Sequence, residues 1–201
     1  MMGEILYQNF PTEALSPSDE EIAARLRTPI GYRDEALAQA ERELRETIQA
    51  GMVAVRVPIE IQGDILRFPD FSAESAALAK NLAGCREAYL MAVTLGIKTE
   101  RWLHRLSILS PAKHFLADGL ASAYAEAAAD LANDMLGEGK RLASRFSPGY
   151  ADLPLSIQSD LLNATDANKY LHITLSDSLL MIPQKSITAI IGIKSEDGKG
   201  E

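Results

Sequence analysis

The chain has 201 residues, 47% of them apolar and 24% charged, which suits one globular domain with a real core and excludes disorder, collagen and coiled coil as whole-chain readings. Twenty Lys and Arg against 28 Asp and Glu leave a formal charge of −8, so phosphate backbones and anionic membranes repel the chain, and neither nucleic acid nor membrane is an expected partner. A single cysteine, Cys85, excludes an intrachain disulfide framework and a Cys-rich zinc site, and the start MMGEILYQNF lacks the charged and apolar regions of a signal peptide, so the expected location is cytoplasmic.

Residues 1–17 carry two prolines and little periodicity and read as an arm. Ser18-Asp19-Glu20-Glu21 fits a capping box, because the Ser18 hydroxyl can accept from the amide three residues on; a short helix is expected to Arg27, ended by Thr28-Pro29-Ile30-Gly31. Leu37, Ala40, Leu44 and Ile48 recur at helical spacing between Tyr32 and Ala50. Met52 to Ile61 alternates and is β-branched, a strand that Pro58 marks as an edge or bulge, and Gly63-Asp64 turns it into a short strand over Ile65–Phe68. Ala-rich Ser72–Leu82 is expected to be helical, and the apolar run Ala88–Leu95 a strand buried on both faces. Thr99–Leu109 is expected to be a helix, and Pro111 opens the longest one, to Leu136. Arg145–Pro154 reads as a structured loop before a short helix to Leu162. Leu171–Ile182 and Ser186–Ile193 read as strands of a hairpin around Pro183-Gln184-Lys185, and the polar tail SEDGKGE as frayed. The order of elements points to α+β, a mostly antiparallel sheet with flanking helices.

The chemistry-bearing motifs are few. His104, His114 and His172 lack the spacing that puts two imidazoles on one helix face. There is no G-x-S-x-G elbow, Walker loop or strand-borne G-x-G-x-x-G. Cys85 beside Arg86 reads as a structural cysteine before a buried strand. The informative segment is Arg145-Phe146-Ser147-Pro148-Gly149-Tyr150. Arg145 offers a planar fork suited to a carboxylate, Pro148 stiffens the turn, Gly149 can take positive φ and admit a ligand to the main chain, and Tyr150 offers a ring and a hydroxyl. Such a loop can bind a small zwitterion; it can equally be a packed turn with a surface arginine.

RFSPGYADLP, followed some twenty residues later by LSDSLLMIPQKSITAIIGI, resembles the activation domain of cobalamin-dependent methionine synthase in its stand-alone form. Arg145, Pro148, Gly149, Tyr150, Asp177, Ser178, Met181, Pro183, Lys185 and Ser186 carry the match, and LAGCREAYLMAVTLG and LADGLASAYAEAAAD extend it upstream. The resemblance divides the chain into an N-terminal arm, helices and hairpin (1–70), an activation-domain-like core (71–193) and a disordered tail (194–201). It implies S-adenosylmethionine as ligand, held by Arg145 at its carboxylate and by Ser147, Pro148, Gly149, Tyr150, Asp177 and Ser178. Ser122 falls where the family can carry an acid facing the ligand's amino group, with Glu126 one turn later. The implied role is a methyltransferase component that helps reactivate a partner's cobalamin, with a flavodoxin-type electron donor; the alternative is a non-enzymatic corrinoid-protein partner that does not use S-adenosylmethionine. Arg101, Arg105 and Lys113 are the basic residues that could meet an acidic donor, or simply a solvated helix face.

Overall fold

The computed structural model describes residues 3–194. Its framework is a five-stranded, wholly antiparallel sheet. The strands are β1 (Ile5–Asn9), β2 (Gly51–Pro58), β6 (Cys85–Thr94), β7 (Arg141–Leu142) and β10 (Ser186–Lys194), in spatial order β1-β2-β6-β10-β7. Strands on both sides of residue 70 therefore share one sheet. β6 lies at its centre, and its alternation feeds two cores. Tyr89, Met91 and Val93 join one cluster, and Ala88 and Leu90 the other. This bears out the expectation of a strand buried on both faces, since each large apolar side chain removed from water contributes about 1.5–3 kcal/mol.

Four helices cover the first face: α1 (Asp19–Leu26), α2 (Glu35–Thr47), α4 (Ile97–Leu109) and α5 (Pro111–Leu136). α1 starts as its sequence requires, with Glu21 N–H donating to Ser18 Oγ at 3.1 Å. Asp34 caps α2 in the same way, through Leu37 N–H at 2.7 Å. α5 has proline at its first turn, and its alanines are buried almost all round, which lets neighbouring elements approach closely. Gly119 belongs to this packing: a Cβ there would stand 2.5 Å from Leu26 Cδ2 of α1.

The second face carries a small sheet of β3 (Glu60–Gln62), β4 (Ile65–Arg67) and β5 (Ser72–Glu74), with α3 (Ala76–Asn81) and α6 (Ile157–Ala164). A short α7 (Ala167–Leu171) packs Leu171 with Val53 and Ala92. β8 (Thr174–Leu175) and β9 (Met181–Ile182) form a separate two-stranded ribbon.

Four expectations are corrected. Residues 5–9 are not arm but the edge strand β1, in register with β2 from Ile5↔Val55 to Asn9↔Gly51. The helix expected over Ser72–Leu82 begins only at Ala76, because residues 72–74 pair with β4 and Ser75 Oγ caps the helix through Leu78 N–H. Leu171–Ile182 is not one strand: it holds the end of α7, β8, a turn and β9. Nor is it the hairpin partner of the last strand, since β10 pairs with β6 and β7. The tail reading falls on residues 195–201, outside the described residues, whereas Lys194 ends β10. Among the described residues no helix is long and apolar enough to cross a membrane.

Candidate functional site

Residues 141–146 run along the free edge of β10. Leu142 pairs with Ile193, Ala143 N–H donates to Gly192 O at 2.8 Å, and Phe146 and Ile190 exchange both main-chain hydrogen bonds. The chain then turns tightly. Tyr150 N–H donates to Ser147 O at 3.1 Å and Gly149 N–H to Leu153 O at 2.9 Å. Gly149 has φ +82°, the left-handed region that glycine occupies without a Cβ penalty, and a Cβ there would press on Leu155 Cδ1 at 3.3 Å. Pro148 is buried, and the Tyr150 ring stands edge-on to Phe146 with most of its surface exposed. Downstream, the Asp152 carboxylate accepts from the Ser75 hydroxyl and from Ala76 N–H at 2.8 Å, anchoring the loop to the start of α3. These hydrogen bonds, the Ser75 one foremost, hold the Asp152 carboxyl below the usual carboxylate range.

Arg145 turns toward α5. Its Nη2 lies 2.9 Å from Asp130 Oδ1 and 3.2 Å from Glu126 Oε2, while its Nη1 is buried with no hydrogen-bond partner. Its side chain is 23% exposed, so the guanidinium does not point into bulk water. Glu126 is shared, its Oε1 lying 3.4 Å from Arg25 Nη2 of α1. One turn back, Ser122 Oγ donates to Asp118 O and accepts from Lys185 Nζ at 2.9 Å, and Lys185 pairs with Asp118 Oδ1 at 2.7 Å. Asp118, Ser122, Glu126 and Asp130 thus form one i, i+4 stripe of α5, met by Arg145 and Lys185.

The structure brings Arg145 and Glu126 into contact and puts Ser147, Pro148, Gly149 and Tyr150 on the turn that follows. Ser122 holds Lys185 instead of an open position. Asp177 and Ser178 are exposed on the β8–β9 turn, where Ser178 Oγ lies 2.9 Å from Ser176 Oγ. That turn is tied to α6 by Gln158 Nε2, which donates to Leu179 O at 2.7 Å. A cavity of about 310 Å³ between loop and ribbon is lined by Leu155, Gln158, Leu179, Leu180, Met181 and Gln184. Tyr150, Leu155, Leu180 and Ile182 are exposed apolar groups around this region of loop and ribbon. Of the basic residues considered for a donor, Lys113 is committed to Glu43 at 2.6 Å, which lowers the Glu43 pKa. Asp130, the nearest partner of Arg145, was missed by the sequence reading. Its spacing of four from Glu126 was the available signal.

The fold is similar to the solved structure of the MetH reactivation domain bound to AdoHcy, with a TM-score of 0.71, 14% sequence identity, and coverage of 99% of this chain and 81% of that chain. The comparison supports the α+β reading, an antiparallel sheet with flanking helices. No family model matches the sequence, and no curated protein matches it.

Proposed function

We propose that this chain is an accessory protein for reductive reactivation of a cobalamin-dependent methionine synthase, and that it binds S-adenosylmethionine at the Arg145 edge of its sheet. The observation that carries the reading is Nη1 of Arg145, buried with no hydrogen-bond partner, on a side chain four residues before the positive-φ Gly149. A buried donor left unpaired costs about 1–3 kcal/mol, more when charged, and a ligand carboxylate removes that cost. In this reading Arg145 takes the ligand's carboxylate, Glu126 and Asp130 its ammonium, and the turn at residues 147–150 packs against the remainder. S-adenosylmethionine, when bound, supplies an electrophilic methyl group. This chain's residues contribute binding and orientation, the nucleophile being the cobalamin carried by the partner. The exposed apolar groups around Tyr150 and Leu180 are a suitable face for that corrinoid protein, with a flavodoxin-type donor supplying the electron in the cytoplasm.

Calorimetry with S-adenosylmethionine tests the reading. The wild type is expected to bind and Arg145→Lys to lose roughly 10–100-fold, the equivalent of one hydrogen bond to a charged group at ~1.5–3 kcal/mol. Absence of heat from the wild type at millimolar ligand would reject it.

One observation favours a second reading, a corrinoid-protein partner that uses no S-adenosylmethionine. The Nη2 of Arg145 is already held by two carboxylates of the chain itself. Under that reading Arg145 pins the strand edge to α5, and Arg145→Ala lowers stability without altering any response to S-adenosylmethionine.

A further inference from the structure

Four residues before Arg145 in the chain, at Arg141 of β7, the end of the sheet opens into a cavity of about 310 Å³. Five cations line it: Arg56 of β2, Arg86 of β6, Lys140 and Arg141 after the end of α5, and Lys194 at the end of β10. One carboxylate, Glu87, lines it as well, and it is paired with Arg56. Among the described residues Arg86, Lys140, Arg141 and Lys194 form no salt bridge, although the chain has eight more acids than bases. The dipole of α5 does not account for them: that helix ends at Leu136 with no basic residue in its last turn, and Arg86 and Lys194 arrive from two different strands. Convergence of like charges from four segments is unfavourable unless an anion meets them.

A second concavity, of about 240 Å³, shares Lys140 and is walled by Leu6, Met52, Tyr89 and Met135. Lys140 Nζ sits 5.9 Å from the Tyr89 ring centroid, at the junction of the two. We propose that this end of the sheet binds a phosphorylated small molecule, its phosphates in the basic cavity and an apolar or aromatic portion in the neighbouring one. The size of the basic cavity is at the lower end of small-ligand sites. The proposal is independent of the Arg145 reading, because the two sites share no residue.

The test is calorimetric titration of the whole chain with tripolyphosphate and with magnesium-free ATP. Saturable binding of both is expected, with ATP the tighter. Arg141→Gln/Lys194→Gln should weaken tripolyphosphate at least about tenfold, whereas the charge-matched Lys98→Gln/Arg101→Gln on α4 should leave it unchanged. No saturation at about 1 mM tripolyphosphate, or equal weakening by the two double variants, overturns the anion site. ATP binding no tighter than tripolyphosphate overturns the assignment of the second cavity.

Discussion

Removing the Tyr124 hydroxyl probes the seam between α2 and α5. Tyr124 is 1% exposed, and its hydroxyl donates to Glu41 Oε1 at 2.7 Å and accepts from Arg45 Nη1 at 2.9 Å. Two hydrogen bonds to charged groups would sum to about 3–6 kcal/mol. Glu41 and Arg45, however, are half-buried and four residues apart on α2, so in Tyr124→Phe they can meet each other and water. The expected loss is therefore about 1–2.5 kcal/mol, a fall in Tm of roughly 3–8 °C for a chain of this size. Urea unfolding should show a lower midpoint at unchanged m. The pH dependence supplies a second readout. Burial first, and then the Glu41 contact, raise the Tyr124 pKa above 10.0 despite the opposing Arg45. A raised folded pKa gives stability that is present below the unfolded pKa and lost as pH climbs through the folded one. Wild type should thus lose stability above pH 10 in a component that Tyr124→Phe lacks. A loss below about 0.5 kcal/mol, or identical alkaline profiles, would refute the reasoning.

Gly96→Ala should cost about 2–4 kcal/mol in urea unfolding, combining a positive-φ penalty with overpacking: Gly96 has φ +89°, and a Cβ would stand 2.9 Å from Gln49 O. Asp152→Asn should destabilise the protein at neutral pH. Because the Asp152 pKa is depressed from 3.8, its contribution exists above the unfolded value and disappears as pH falls through the folded one. The gap between wild type and variant in a pH series of urea midpoints should therefore close below pH 4; a gap constant through that range contradicts the assignment.

How much was legible in the sequence depends on the range of the interaction. Local signals held: the Ser18 cap, Pro111 at the first turn of α5, and the unbroken apolar run of β6, whose two faces both need partners. Long-range pairing was not legible. Residues 5–9 are mostly exposed and show no alternation, so only their ladder with β2 makes them a strand. Ser72–Glu74 has no strong strand propensity and is extended because β4 pairs with it. β10 reaches β6 across 92 residues at the Ser186–Thr94 pair, a closure that no local pattern announces. The candidate site divides the same way. The Arg145–Tyr150 turn stands out in the sequence because proline and glycine constrain it locally. That α5 would set Glu126 and Asp130 against Arg145 depends on helix and strand packing side by side, although the four-residue spacing of the acids was visible beforehand.

The most direct test is a crystal structure of the chain with S-adenosylhomocysteine. The expected result is the ligand's carboxylate within hydrogen-bond distance of Arg145 Nη1, with the amino acid portion lying against residues 147–150. Ligand density elsewhere, or Arg145 still engaging only Glu126 and Asp130 at saturating ligand, would contradict it.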